Sequence, residues 1–475
     1  TILCKDYITT NFDMEGSGSS FHIAMCPWFA LGHINLYLHL SNKLAKKGHK
    51  SSFFIPTKTQ SKIEHLNHFP DLITFYPITV PHVEGLPPGA ETTNDVLPSL
   101  IPLIMTAMDR TENDLELLLR HLKPDFVFFD FVYWIPKLAR RLGLKSLHYS
   151  VISPVTLAYN LSPSRHLITG RHQFSEMDFM QPPPGYPDSA INLHLHEARA
   201  LLNESTTKFN GDVLFFDRWY VGFTQCDAIG FKACREIDGP FVDYLETQFG
   251  KPLLLSGPLI PEPPVSMLEQ KWVRFLGGFK PGSVVYCAFG SEATLTQDQL
   301  QELVLGLELS GLPFLAALRP PSGVESIDEA LPEGFVERVK GRGVVHGGWI
   351  QQPQILEHPS IGCHVTHCGA GSLFEALMNK CQLVFIPFLS DQIFNARLMA
   401  DSLKVGSEVE KGEESGLFSR DGVCNAIKIV MEEDNNEVGR EIRANRAKLR
   451  ELILHKDFES SYIDDFLGKL RTLLD

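Results

Sequence analysis

The chain has 475 residues, room for two ordinary domains each with its own core, and its 44% hydrophobic to 21% charged balance is globular rather than disordered. A formal net charge of −14 argues against a nucleic-acid partner or an anionic membrane surface, so any site for an anion has to be built locally. Nine scattered cysteines, an odd number without a C-x-x-C pair, read as small apolar core residues in a reducing compartment. No apolar run approaches the ~18 residues of a membrane span. The longest, 97–108, is broken by Pro, Ser and Thr. The opening residues carry no basic segment followed by an apolar one, so a cytoplasmic chain is expected. Met14 reads as a native start, and residues 1–13 are left out of the fold argument.

In chain order, 21–26 (F-H-I-A-M-C) reads as a buried strand. A loop over 27–32 leads to His33, and apolar residues at 36, 38, 40, 44 and 45 predict a helix ended by Gly48. A strand at 52–55 completes a βαβ opening, which implies a parallel sheet. A third strand is expected at 71–76, one or two long helices over 95–122, a strand over 125–129 ending at Asp130, a helix over 135–142 and a strand over 146–152. The stretch 154–203, with Pro182-Pro183-Pro184-Gly185, reads as loop, either an acceptor pocket or plain surface. Strands at 228–231 and 252–255 close this half. Residues 256–264, rich in Pro and Gly, are the best linker.

A second α/β series follows, with strands over 283–289, 313–318 and 343–346 and a helix over 297–310. Helices are expected over 393–403, 420–433, 437–453 and 462–474. Between them lies the stretch that organises the rest, 349–392. It reads as a strand (362–366), a glycine loop His367-Cys368-Gly369-Ala370-Gly371-Ser372, and a helix with apolar Leu373, Phe374, Ala376 and Leu377. Such a unit aims bare backbone N–H groups and the positive helix end at one spot, which suits phosphate. Gly369 and Gly371 allow close backbone approach, while Ser372 and His367 add side-chain donors. Glu375, one turn in, suits two ribose hydroxyls, and Trp349 offers a face for a base. Asp391 and Gln392 follow a second strand, 382–386, and suit sugar hydroxyls.

These residues carry a resemblance. Trp349, Gln352, His358-Pro359, Thr366-His367-Cys368-Gly369, Ser372, Glu375, Pro387 and Asp391-Gln392 stand at the spacing of the signature box of plant family 1 UDP-sugar-dependent glycosyltransferases. The resemblance implies the GT-B fold, an α/β class with two doubly wound Rossmann-like domains facing across a cleft. It places the acceptor in 14–255, a linker region in 256–282, the UDP-sugar in 283–455, and a terminal helix, 456–475, crossing back to the first domain. It implies that Trp349 stacks on uracil and that Ile350 and Gln352 meet its edge. His367, Gly369 and Ser372 would hold the diphosphate, Glu375 the ribose, and Asp391 and Gln392 the sugar. Where the family usually has Trp-Asn, this chain has Ala370-Gly371, which is similar to the branch that adds a sugar to the sugar of flavonoid or terpenoid glycosides. Residues 85–92 and 320–323 also look like that branch. Membrane-bound relatives carry a signal peptide and a carboxy-terminal anchor, and the expectation here is a soluble cytosolic enzyme with neither.

Sugar transfer needs a deprotonated acceptor hydroxyl, a stabilised leaving diphosphate and alignment of both. Histidine is the natural base near neutral pH. His33 follows the first strand, and Asp130 ends the fourth, where open α/β sheets hold ligands. A carboxylate there can accept the second imidazole N–H and set the tautomer. The resemblance supports both as a catalytic dyad and implies a single inverting displacement without a metal or other cofactor. No D-x-D motif occurs at the donor stretch. Asp125, the rival carboxylate, lies at the strand start and reads as a surface cap. Gly290-Ser291 either donates to the diphosphate or forms an ordinary tight turn. Trp28, Phe131, Tyr133, Trp134 and Phe388 are either core or acceptor lining, and Phe131, Trp134 and Phe388 are assigned to the acceptor.

The expectation is therefore a monomeric transferase taking a UDP-sugar, glucose first and rhamnose or xylose second, to a small-molecule glycoside. The alternatives are a transferase acting on the aglycone, a non-catalytic nucleotide-sugar binder, and a dinucleotide-dependent oxidoreductase. The last is disfavoured because no G-x-G-x-x-G follows an early strand.

Overall fold

The computed structural model describes residues 20–165, 174–209, 213–260, 267–290, 293–432 and 437–475. Two parallel sheets organise them. The first uses β1 (His22–Cys26), β2 (Lys50–Pro56), β3 (Ile73–Ile78), β4 (Phe126–Phe129) and β5 (Lys145–Ser150). A two-stranded hairpin, β6 (Lys208–Phe209) and β7 (Val213–Leu214), stands apart, and β8 (Ala228–Phe231) and β9 (Leu253–Leu255) finish the sheet in the order β3-β2-β1-β4-β5-β8-β9. The second sheet uses β10 (Val284–Ala288), β11 (Phe314–Ala317), β12 (Gly343–His346), β13 (Ile361–Thr366), β14 (Gln382–Phe385) and β15 (Ser407–Glu408), in the order β12-β11-β10-β13-β14-β15.

The strands are apolar on both faces because helices cover both, as parallel sheets require. β4 reads F-V-F-F and is fully buried. Each sheet winds outward in both directions from a central pair, β1/β4 in the first and β10/β13 in the second. Neighbouring loops diverge at that point, leaving a crevice at the carboxyl ends of the strands. The fold therefore supplies two crevices, one per sheet.

Several elements differ from the expectations. Helix Leu31–Lys46 begins before His33, so the imidazole sits in a first helical turn rather than in a loop. The 154–203 stretch is largely helical where described, with Pro154–Asn160, Glu176–Met180 and the start of Leu195–Thr206. Its prolines sit between these helices or at their first turn, where no N–H is needed, and so do not prevent them. Helices Phe215–Gln225, Arg235–Phe249 and Gln270–Gly277 were not expected at all. Part of the expected linker, 261–264, lies outside the described residues.

The two halves meet through specific contacts. Arg397 donates to Glu197 Oε1 at 2.8 Å and to Glu408 Oε2 at 3.1 Å, joining the helix Leu195–Thr206 to the second sheet. Ser153 Oγ donates to Asn395 Oδ1 at 2.7 Å. The last helix, Phe458–Leu474, lies on the first sheet. Its Phe466 packs edge-on to Phe128 and Tyr149, with centroids 6.1 and 6.2 Å away.

Candidate active site

At the first crevice, β1 ends at Cys26 and β4 at Phe129, their last residues paired in register. Asp130 follows directly and is 3% exposed. A buried carboxylate must be hydrogen-bonded to persist, and this one is. Its Oδ1 accepts the backbone N–H groups of Trp28 and Phe131, both at 2.7 Å. Its Oδ2 meets His33 Nδ1 at 2.6 Å. With Nδ1–H donating to the carboxylate, Nε2 is left as the acceptor nitrogen. The pairing spans 97 positions of sequence and depends wholly on β1 and β4 being neighbours. Asp125, at the opposite end of β4, accepts the His22 N–H at 2.7 Å and belongs to the strand start.

Aromatic rings surround the dyad. Phe131 is 5.6 Å from the His33 ring and stacks on Trp219 at 4.9 Å and Phe215 at 5.4 Å. Trp134 is buried, and its indole N–H has no partner among the described residues. Phe388 lies on the other half, edge-on to Phe289 at 5.1 Å, with the Lys411 ammonium 5.2 Å above its ring. Sequence reading missed Phe215 and Trp219. The available signal was their i, i+4 spacing, repeated at Phe223, which marks one helix face.

At the second crevice, β13 ends at Thr366 and the loop turns sharply, with Cys368 in the left-handed region at φ 68°. Gly369 caps the helix Ala370–Met378 without any side-chain hydrogen bond, so the first-turn N–H groups remain available. His367 is buried, its Nδ1 has no partner among the described residues, and burial pushes its pKa down to about 4. It is therefore a neutral imidazole at working pH. The ring is wedged against two glycines. A Cβ at Gly290 (φ +67°) would lie 3.0 Å from it, and one at Gly369 would lie 2.6 Å from Nε2. Around Gly371 a Cβ would meet nothing within 4 Å, so the Ala370-Gly371 pair does leave open space. Ser372 stands half-buried in the same turn.

Further along this helix, burial raises the Glu375 pKa, opposed by a hydrogen bond from Gln352 and the charge of Lys232. Gln352 Nε2 donates to Glu375 Oε2 at 2.7 Å, and Tyr286 Oη donates to Gln352 Oε1 at 3.3 Å. Both polar ends of Gln352 are thus engaged, and it braces Glu375. Trp349 is 79% exposed, an open indole face, whereas the Ile350 side chain is buried. Asp391 and Gln392 lie in the first turn of the helix Ser390–Arg397. Gln392 Oε1 accepts the N–H groups of Phe388 and Leu389 at 3.0 and 3.1 Å, which leaves its amide N–H₂ for a ligand. Ser291 lies outside the described residues.

Sequence reading also missed Lys232. It follows β8 of the first sheet, and its ammonium lies 4.8 Å over the ring of Phe374, on the helix of the second half. Among the described residues no group of three or more His, Cys, Asp or Glu could hold a metal ion, and no helix is long and apolar enough to cross a membrane.

Comparison with known proteins bears directly on this arrangement. The model of the family described as "UDP-glucoronosyl and UDP-glucosyl transferase" matches residues 271–446, the half that holds the second crevice. A cyanidin 3-O-galactoside 2''-O-xylosyltransferase from Actinidia chinensis var. chinensis is 61% identical, over 96% of this chain and 99% of its own length. An anthocyanidin 3-O-glucoside 2''-O-glucosyltransferase from Ipomoea nil is 54% identical, over 97% of this chain and 100% of its own. Among solved structures, a Glycyrrhiza uralensis UGT complexed with glycyrrhetinic acid 3-O-monoglucuronide superposes with a TM-score of 0.79 at 20% identity, covering 96% of each chain. That likeness identifies the fold as GT-B.

Proposed function

Because this chain belongs to the UDP-glucoronosyl and UDP-glucosyl transferase family, we propose that this UDP-glycosyltransferase adds a sugar to a sugar hydroxyl of a flavonoid 3-O-glycoside. The observation that carries the catalytic part is the 2.6 Å bond between His33 Nδ1 and Asp130 Oδ2 at the β1/β4 crevice. The acceptor class rests on the relatives at 61% and 54% identity, whose names place the new sugar at a 2''-hydroxyl.

In this reading the acceptor occupies the amino-terminal half (14–255) and the UDP-sugar the carboxy-terminal half (283–455). Asp130 orients the imidazole and stabilises the cation that forms. His33 Nε2 removes the acceptor hydroxyl proton as that oxygen attacks the anomeric carbon. The bond from that carbon to the diphosphate breaks on the opposite face, so the configuration inverts. UDP leaves with its negative charge directed at the first-turn N–H groups of the helix Ala370–Met378, beside neutral His367, Gly369 and Ser372. Trp349 stacks on uracil next to the Ile350 backbone, Glu375 braced by Gln352 takes the ribose, and Asp391 with the Gln392 amide takes the sugar. Phe131, Trp134 and Phe388 bound the acceptor. The open space at Gly371 suits a donor or acceptor sugar where a bulkier pair would stand. The eight cysteines described are all buried thiols, which suits a monomeric enzyme working in the cytoplasm.

The donor is UDP-glucose, or else UDP-rhamnose or UDP-xylose, and one assay separates them. Purified protein is offered UDP-glucose, UDP-xylose and UDP-rhamnose in turn, against cyanidin and its 3-O-galactoside and 3-O-glucoside, and products are weighed by mass spectrometry. A diglycoside formed only from the 3-O-glycosides supports the reading and names the donor. Product from the aglycone alone refutes the sugar-on-sugar acceptor. No product and no UDP binding refute the donor site.

A further inference from the structure

Lys232 is the residue that the mechanism leaves unused. It stands one position beyond β8, at the carboxyl end of the first sheet, yet its side chain reaches the helix that opens the nucleotide stretch of the second sheet. Its ammonium lies 4.8 Å over the Phe374 ring, one residue before Glu375. Among the described residues it has no hydrogen-bonded partner, and the anions it feels are Glu375 and Glu459. Glu459 is already held by Lys43 at 2.9 Å and by the Ile260 N–H at 2.5 Å. Glu375 has one oxygen, Oε2, engaged by Gln352.

An ammonium carries three donors and no acceptor. Burial lowers the Lys232 pKa to about 8, so the group remains protonated at neutral pH while lacking its full complement of acceptors. A ribose hydroxyl has the complementary need. It donates one hydrogen bond and accepts others, so a carboxylate alone satisfies only half of it. A carboxylate and an ammonium side by side satisfy both.

We infer that Lys232 is a nucleotide-binding residue supplied by the amino-terminal half, donating to the ribose diol whose O–H groups donate to Glu375. This rests on the reading of Glu375 as the ribose acceptor given above. It makes the two halves joint owners of the nucleotide site, because the carboxylate comes from one sheet's helix and the ammonium from the carboxyl end of a strand in the other sheet. Arg in place of Lys232 retains donors and charge, whereas Met retains only the apolar stem over Phe374.

The test compares UDP with its 2'-deoxy analogue by isothermal titration, using wild type, Lys232→Met, Lys232→Arg and Glu375→Gln, each checked for an unchanged thermal unfolding midpoint. The expected result is a loss of about tenfold in UDP affinity for Lys232→Met, the scale of one charged hydrogen bond. The same variant should bind the deoxy analogue nearly as wild type does, and Lys232→Arg should recover most of the UDP affinity. Equal losses for the two ligands, or none for either, overturn the inference while leaving the transferase reading intact. Failure of the wild type to bind UDP overturns both. Should Lys232→Met not fold, Lys232→Gln carries the same comparison.

Discussion

The two crevices share one topology and solve opposite problems. At β1/β4 every polar group of Asp130 is engaged before any ligand arrives. Two backbone N–H groups engage one oxygen and the imidazole the other, and a stack of aromatic rings packs behind them. At β10/β13 the groups stand open. Among the described residues the His367 Nδ1 has no partner and the helix Ala370–Met378 starts without a side-chain cap, and Trp349 is 79% exposed. In the proposed reading the first crevice is the catalytic one, its hydrogen bonds fixing geometry in advance. In the same reading the second is the nucleotide site, its open donors completed by the ligand.

The sharpest way to break this contrast is at the dyad. His33→Ala should lower kcat by about a thousandfold, the scale of a lost general base, while UDP affinity measured by titration stays unchanged. A parallel loss of UDP affinity would mean that the two crevices are not functionally separate. Asp130→Asn should cost about a hundredfold in kcat through the lost orientation of the ring. Its fall in unfolding midpoint should exceed that of His33→Ala, because an amide cannot accept every donor the carboxylate does. Calorimetry beside steady-state kinetics checks both halves of that statement.

At the donor crevice the effects should fall on binding. Gly369→Ala places a methyl group 2.6 Å from the His367 ring and should raise the donor KM by about tenfold, with a smaller change in kcat. Trp349→Ala removes an exposed indole, so stability should hold while UDP affinity drops by about 1–3 kcal/mol, the usual range for base stacking on an aromatic ring.

The smallest expected effect concerns buried histidines, which occur in both halves. His148 in β5 and His364 in β13 are fully buried, and burial pushes each pKa down to about 3. The unfolded chain binds protons at these positions near pH 6.5, and the folded chain does not until about pH 3. Stability is therefore full above pH 6.5 and declines as pH falls toward 3. His148→Phe should flatten that decline in thermal melts across the window. An unchanged slope would show that other groups set the acid sensitivity.

Much of this was legible in the chain itself. Short apolar runs separated by helical periodicity predicted the strands closely. The helix Ile135–Leu142, between Pro at its first turn and Gly just past its end, agreed to the residue. His33 and Asp130 could be nominated because each follows a strand and carries suitable chemistry. Less legible was 154–203, where prolines suggested loop and apolar burial against neighbouring elements made helices. Propensity is a weak prior once tertiary packing contributes more than the local preference.

Local pattern thus determined the α/β alternation, the glycine loop, and the residue types available at each strand end, because periodicity and turn chemistry act over a few residues. Only the tertiary structure decided who meets whom. Sheet order brings His33 onto Asp130 across 97 positions, and Gln352 onto Glu375 rather than out toward a base. It also places Phe215 and Trp219 behind Phe131, and carries Lys232 across to the other half's helix. These pairings depend on which strands lie side by side, and that is settled by burying both faces of two sheets at once, a condition no single segment contains.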